Sequence, residues 1–457
     1  MRAAITVINR LAIFGGTGDL TARYLLPAIA ALRASGEVGA ALEVIGAGRD
    51  DWSTSQFRDW AAAQLARHAG DLPAPVRSAV ASALTYRQAD VTVAAGAASV
   101  IAGGPVACYL ALPPAVFPGA VSALHDAGLP EGSRIVLEKP FGEGLASAIE
   151  LNRLLAETLP EQAVFRIDHF LAMTTVQNLL GTRLANRVFE PLWNSSHIAE
   201  IDIVWDESLA LEGRAGYYDG VGALKDMLQN HLLQVLCLVA MEPPLSFSER
   251  DLRDRKVDVL RSVRPLAGDD VVRATRRGRY TAGRIGDRQI PAYADEEGVD
   301  SGHRTETFAE VELRLDNWRW QDTVFRLRTG KALRRNRKEV AVSFRHVPHL
   351  PFPHRGVEAP NRLRFGLEPE NVSLELTGIG QHLDTLSPIS LTARLESPAL
   401  PAYGQLLFSV LSGGSALAIR SDEAEESWRV VSPVLEAWAK DVVPLRDYPA
   451  GSDGPAR

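Results

Sequence analysis

Residues 223–240 are apolar enough for a protein interior, yet Asp226, Gln229, Asn230, His231 and Gln234 interrupt them. A buried polar group left without a partner costs about 1–3 kcal/mol, so these side chains must find partners. One reading is a hydrogen-bonded core helix; the other is a pocket wall that carries a general base. Helical periodicity puts Asp226 and Asn230 on one face, with His231 a quarter turn round. Imidazole suits proton abstraction near neutral pH, and works best with a carboxylate that fixes its tautomer and steadies the imidazolium. Asp168, in Arg166-Ile167-Asp168-His169, is a candidate for that carboxylate. Taken alone, an Asp-His pair beside an apolar run is more often structural, and spacing does not bring Asp168 to His231.

A second constellation is Phe14-Gly15-Gly16-Thr17-Gly18-Asp19-Leu20-Thr21, which follows an apolar run and opens a helical pattern. There, glycines let a backbone approach a pyrophosphate, and a helix N-terminus supplies N–H donors. The spacing is a variant of the dinucleotide fingerprint, and a tight turn with no ligand is the bland alternative. Arg49 stands just past the second apolar run, where an adenosine ribose would sit. An arginine there favours a 2′-phosphate and hence NADP over NAD, although Asp50 beside it pulls the other way. His346, His349 and His354 sit in a Pro-rich stretch with no acid among them, which reads as a solvated loop, and no metal is expected.

The elements that must hold these groups come in two styles. Residues 5–14, 42–46, 106–112 and 134–137 read as short strands separated by helical patterns such as 21–34, which implies βαβ units and a parallel sheet. From about residue 165 the character changes. Helical stretches at 174–183 and 223–240 mix with alternating strands at 199–205, 305–316, 322–328, 339–345 and 372–377. Strands without intervening helices predict an antiparallel sheet in an α+β domain. Residues 345–360 read as a loop and the chain from 449 onward as a small-residue tail. The expected division is 1–172 for a dinucleotide domain and 173–457 for a substrate and dimerisation domain.

Composition narrows the function classes. The 457 residues are 46% hydrophobic, and 49 basic against 56 acidic side chains give a net charge of −7. That charge lacks the basic footprint of a partner for nucleic acid or an anionic membrane. The longest apolar run, 232–241, is too short to span a bilayer, and residues 1–16, with Arg10 inside them, run into the glycine turn and do not read as a signal peptide. Cys108 and Cys237 form no CxxC, so neither a disulfide nor a thiolate metal site is expected. The reading is a cytoplasmic globular chain with a small-molecule partner. Arginine is its habitual cation: Lys139, Lys225, Lys256, Lys331, Lys338 and Lys440 are its only lysines.

Several motifs, in order along nearly the whole chain, together resemble the glucose-6-phosphate dehydrogenase family. They are Gly15–Leu20, Glu138-Lys139-Pro140-Phe141-Gly142, Arg166–His169, Phe189-Glu190-Pro191-Leu192-Trp193-Asn194, Glu212-Gly213-Arg214 through Tyr217-Tyr218-Asp219, Asp226–His231, Ala240-Met241-Glu242-Pro243-Pro244, Arg328-Thr329-Gly330-Lys331 and Tyr448-Pro449-Ala450-Gly451-Ser452. The resemblance implies a Rossmann-type N-terminal domain, a C-terminal α+β domain with a large, mainly antiparallel sheet, and a homodimer or homotetramer. It also implies NADP-dependent oxidation of a sugar hemiacetal carbon to a lactone. By the same resemblance, His231 takes the C1 hydroxyl proton, Asp168 orients it, Lys139 lies between cofactor and substrate, and Pro140 is cis. Gly15, Thr17, Gly18, Asp19, Leu20 and Arg49 would hold the cofactor. Glu207, Asp226 and Lys331 would contact sugar hydroxyls, and His169 a phosphate. Lysine at 139 and 331 fits places where a compact ammonium is needed.

The phosphate cradle departs from that pattern. Where the family has Tyr-Leu-Gly-Lys-Glu, this chain has Phe170-Leu171-Ala172-Met173-Thr174. Asn336 replaces the cation five residues past Lys331, and Tyr24 replaces a lysine in the helix after the glycine turn. A lost charge-assisted hydrogen bond costs roughly 1.5–3 kcal/mol. Two such losses lower kcat/KM by on the order of 10²–10⁴-fold. The leading expectation is therefore a ring alcohol or hemiacetal without the 6-phosphate, or with another group at that end. The alternatives are an authentic glucose-6-phosphate 1-dehydrogenase, with Arg335 or Arg337 standing in for the missing charge, and a non-catalytic paralogue. Retention of Asp168, His231 and Lys139 together speaks against the last.

Overall fold

In the computed structural model the described residues are 7–39, 41–350, 359–382, 385–396 and 398–456. His354 and the first residues of the strand expected at 5–14 lie outside them. Six short strands build the first sheet: β1 (Arg10–Phe14), β2 (Glu43–Gly48), β3 (Leu84–Gln88), β4 (Ala107–Leu110), β5 (Arg134–Glu138) and β6 (Val164–Ile167). They pair in the order β3-β2-β1-β4-β5-β6, all parallel. Parallel strands need helices on both faces, which is why β1 and β4 read as almost continuous apolar runs. The order reverses between β1 and β4, and open sheets of this kind take ligands beyond the carboxyl ends of the strands at such a reversal. The glycine turn leaves β1 at that end.

This unit takes in residues 1–172 together with 244–254 and 397–425. The helix Ala402–Ser412 gives Leu406, Leu407, Val410 and Leu411 to the core that also holds Leu11, Ile13, Leu26 and Ile29. Arg134 donates to the carbonyls of Val410 and Leu411, fixing that helix's last turn.

The other unit comprises residues 173–243, 255–396 and 426–457. Its strands are β7 (Ile198–Asp206), β8 (Thr275–Thr281), β11 (Phe308–Leu313), β12 (Val324–Gly330), β13 (Arg337–Phe344), β14 (Arg362–Glu368), β15 (Glu370–Ile379), β16 (Leu386–Arg394) and β17 (Leu445–Pro449), with a small hairpin of β9 (Gly283–Ile285) and β10 (Arg288–Ile290). The large sheet runs β16-β15-β14-β13-β7-β12-β11-β8-β17. Every neighbouring pair is antiparallel except β7–β12 and β8–β17. The sheet is thus mainly antiparallel, as expected; the two parallel pairs leave no mark in the sequence, because alternation reports a half-buried strand, not its direction. The small-residue tail expected from 449 follows the paired strand β17, which ends at Pro449. Among the described residues no helix is long and apolar enough to cross a membrane.

Candidate active site

At the end of β1, Gly15 turns with a φ of +86°, and an added Cβ would collide with the Ala111 carbonyl. The Gly15 and Gly16 amides both donate to the Ala47 carbonyl at 2.9 Å, and the Gly18 amide to the Gly15 carbonyl at 3.0 Å. The Thr17 hydroxyl donates to Asp50 Oδ2 at 2.6 Å, while Tyr86 donates its hydroxyl to the Asp50 carbonyl at 2.9 Å. The turn is thereby stitched to the end of β2, where Arg49 stands exposed. At Gly18 an added Cβ would press only on the Gly15 carbonyl, 3.2 Å away, so its bareness serves the open mouth of the turn more than the fold. Asp19 is exposed and Leu20 half-buried at that mouth. These features fit a pyrophosphate laid against the turn. The helix then opens with a π-turn over Thr21–Leu25, closed by the Leu26 amide on the Thr21 carbonyl.

In the same unit Arg166 is fully buried. It donates to Asn152 Oδ1 at 3.0 Å and pairs with Glu161 Oε1 at 2.8 Å. That anchorage sets the following turn, in which fully buried Asp168 accepts the Phe170 amide on Oδ1 at 2.9 Å. His169 is half-buried and stacks on the Tyr403 ring, centroids 5.8 Å apart. Tyr403 stacks on its other neighbour, Tyr24, at 5.0 Å. The Glu138 carboxylate lies between the hydroxyls of Tyr109 and Tyr403. Burial pushes its pKa up to about 7, with the Asp168 charge adding to the shift and Tyr109, Lys139 and Tyr403 restraining it. Lys139 is half-buried, and its bond to Pro140 is cis.

The other unit carries the polar helix, which is two helices end to end: a π-helix over Leu224–Leu232 and an α-helix over Leu233–Ala240. This corrects the α-spacing argument. In a π-turn the hydrogen bonds join residues five apart, as Leu233 to Leu228 here, so the offset of five between Asp226 and His231 follows the hydrogen-bond ladder. Gln229, Asn230, His231 and Gln234 are all buried, and Asn230 donates to the Lys225 carbonyl at 2.9 Å. The far end is held by two buried indoles, Trp193 on the Val239 carbonyl at 2.8 Å and Trp320 on the Ala240 carbonyl at 2.7 Å. Orphan carbonyls at a helix end need such partners.

Lys331 pairs with Glu207, both side chains mostly buried. Tyr218 senses Asp226, Glu306 and Glu207, whose charges add to burial in raising its phenol well above the usual range. Glu207, Asp226 and Lys331 therefore share one region of this unit. Met173 is half-buried at the start of the helix Thr174–Leu184. Asn336 is exposed and accepts on Oδ1 from the Ser208 amide at 2.8 Å and its hydroxyl at 3.0 Å. Arg337 is turned to Glu339 at 3.0 Å, whereas Arg335 is exposed. Phe170, in the first unit, is buried.

Sequence reasoning assigned no role to Tyr109, Glu138, Tyr403 or Tyr448. The Tyr448 hydroxyl, in β17, donates to the Lys331 carbonyl at 2.8 Å and meets Thr307 Oγ1 at 2.9 Å. An acid closing an apolar strand, as at Glu138, was the one signal available.

Two family profiles cover the chain: Glucose-6-phosphate dehydrogenase, NAD binding domain, over residues 12–178, and Glucose-6-phosphate dehydrogenase, C-terminal domain, over residues 180–457. The chain is 41% identical to a glucose-6-phosphate 1-dehydrogenase of Mycolicibacterium smegmatis, over 97% of this chain and 93% of that protein. It is 37% identical to one of Zymomonas mobilis, over 98% and 96%. Among solved structures, a glucose-6-phosphate 1-dehydrogenase from Mycobacterium avium superimposes with a TM-score of 0.87 at 34% identity, over 98% of this chain and 95% of that one. A glucose-6-phosphate dehydrogenase in complex with glucose 6-phosphate gives 0.89 at 30%, over 100% and 97%. With both halves of the sequence matched and the folds superimposed along their length, the chain belongs to the glucose-6-phosphate dehydrogenase family of NADP-dependent oxidoreductases, which act on a CH–OH donor.

Proposed function

We propose that this protein oxidises the carbinol carbon of a cyclic hemiacetal or ring alcohol with NADP, and that its preferred substrate has a neutral group where a 6-phosphate would lie. The observation that carries the second half is the stack Tyr24–Tyr403–His169, in which a phenol ring stands where the family resemblance expects an ammonium. Buried Phe170, apolar Met173 and an Asn336 already bonded to Ser208 agree with it. Stacked rings suit the C–H face of a sugar or a ring alcohol better than a dianion.

His231 takes the hydroxyl proton on a ring nitrogen while hydride leaves the same carbon, and Asp168 steadies the resulting imidazolium. When bound, NADP supplies the nicotinamide that receives the hydride. Gly15, Thr17, Gly18, Asp19 and Leu20 would hold its pyrophosphate, Arg49 would hold its 2′-phosphate, and Lys139 would stand beside the reacting carbon. Glu207, Asp226 and Lys331 hold the ring hydroxyls. The protein works in the cytoplasm as a homodimer or homotetramer.

A second reading is authentic glucose-6-phosphate 1-dehydrogenase, favoured by nearly full-length similarity to relatives of that name, with His169 and the exposed Arg335 serving the phosphate. A kinetic panel of glucose, glucose 6-phosphate, other pyranoses and cyclic alcohols with NADP separates the two. We expect kcat/KM for an unphosphorylated substrate to exceed that for glucose 6-phosphate. Fast turnover of glucose 6-phosphate with a micromolar KM selects the second reading. His231→Ala abolishes NADP reduction on either, whereas unchanged reduction would mark a non-catalytic paralogue.

A further inference from the structure

The N-terminal end of the π-helix is held by a side chain that neither the mechanism nor the family resemblance uses. Glu306 Oε1 accepts the Leu224 amide at 3.0 Å, and the Glu306 carbonyl accepts the Ala223 amide at 3.0 Å. Its carboxylate is pressed against Gly222, where φ is +75° and an added Cβ would lie 2.5 Å from Oε1. Glu306 is almost fully buried, and the cations facing it are Lys225, on the helix, and Arg277, on β8. The phenols of Tyr218 and Tyr293 also sense its charge. The first amides of any helix lack partners within it, and an anionic acceptor there gains from the helix dipole as well as from the hydrogen bond.

The residues on either side of Glu306 are tied as firmly. Thr305 donates its hydroxyl to the Asp219 carbonyl, and the Thr307 carbonyl accepts the Lys331 amide at 2.9 Å. The Thr307 hydroxyl meets that of Tyr448 at 2.9 Å. The segment Thr305–Glu306–Thr307 thus joins the turn before the helix, the first amides of the helix and the backbone of Lys331.

We propose that Glu306 is a positioning residue: its carboxylate clamps the first turn of the π-helix and fixes Asp226 and His231 relative to Lys331. This rests on the reading above that these side chains serve the substrate. A π-helix is rare and occurs mostly as a single turn inside an α-helix, so a run of 9 residues calls for such an external hold. Glutamine at 306 keeps an oxygen acceptor of the same reach; alanine removes it and leaves the Leu224 amide buried without a partner.

Hydrogen–deuterium exchange of the full-length protein tests the clamp independently of any substrate. Glu306→Ala should speed exchange of peptides spanning 223–231 about tenfold or more while residues 10–48 stay as in wild type, and Glu306→Gln should lie within about threefold of wild type. Equal exchange in wild type and Glu306→Ala, or a Gln variant as fast as Ala, would overturn the proposal. Steady-state kinetics on whichever panel substrate wild type turns over tests the positioning. Glu306→Ala should lower kcat/KM for the sugar about tenfold or more with the KM for NADP unchanged, and Glu306→Gln should recover most of it. If wild type turns over nothing in the panel, the functional reading fails while the exchange result still decides the clamp.

Discussion

The ring of Tyr24 lies 5.0 Å from that of Tyr403 with the planes 30° apart, and Tyr403 stacks in turn on His169 at 5.8 Å. Tyr24 is still 43% exposed, so this face of the stack is open to a ligand. A cation restored at this face, or at Met173, would give an anion a partner that the rings do not. A charge-assisted hydrogen bond is worth about 1.5–3 kcal/mol, and each 1.4 kcal/mol is a factor of ten. Tyr24→Lys and Met173→Lys should therefore each raise kcat/KM for glucose 6-phosphate about tenfold or more, with little effect on unphosphorylated sugars. Steady-state assays with both substrates check this; equal effects on the two would remove the case for a remodelled anion end.

Glu138 gives the fold a pH dependence. The residue is only partly buried, but its carboxyl is enclosed between the Tyr109 and Tyr403 hydroxyls, and burial first, then the Asp168 charge, push its pKa from 4.5 up to about 7. The folded state then holds this proton more tightly than the unfolded state does. Stability from this group is complete below pH 4.5, falls as pH rises through about 7 and is flat above. Glu138→Gln cannot titrate, so its stability relative to wild type should improve by on the order of 2 kcal/mol between pH 5 and pH 8. Urea melts of both proteins at the two pH values measure this, and a difference that does not change with pH would contradict it.

The parallel sheet was legible because doubly covered strands leave apolar runs, as at 10–14 and 107–110, and the glycine turn was legible because its backbone excludes Cβ atoms. Much of the rest was not. β3 alternates buried Leu84 and Tyr86 with half-buried Thr85 and exposed Arg87, ends in exposed Gln88, and lacks an apolar run. The return of residues 397–425 to the first unit depends on Leu406, Leu407 and Val410 meeting Leu11 and Ile13, a long-range match that no local pattern announces. Asp226 and His231 stand out in the sequence as polar residues in an apolar helical run, but the π geometry that relates them is invisible to a 3.6-residue period. Tyr403 has no conspicuous neighbours in sequence, since its partners Tyr24, Glu138 and His169 come from distant segments.

The end of the chain offers the remaining test. Residues from 449 form a tail of small side chains; Tyr448 just before it is buried, its hydroxyl on the Lys331 carbonyl and on Thr307, and the Gly451 amide donates to the Ala332 carbonyl at 2.8 Å. Arg334 donates its amide to the Ser452 carbonyl at 2.8 Å, so the loop carrying Lys331 is bracketed from both sides. Ala332 within it has a φ of +51°, a conformation an alanine keeps only under such restraint. Tyr448→Phe keeps the packing of the ring and removes only the hydroxyl bonds. Leaving the Thr307 hydroxyl and Lys331 carbonyl short of a partner should cost about 1–2 kcal/mol of stability. Because Lys331 and Glu207 move with this loop, the KM for the sugar should rise several-fold while the KM for NADP, bound by the other unit, stays put. Denaturant melts and steady-state kinetics report the two effects separately. A loss of stability with an unchanged sugar KM would show that the tail supports the fold without positioning Lys331.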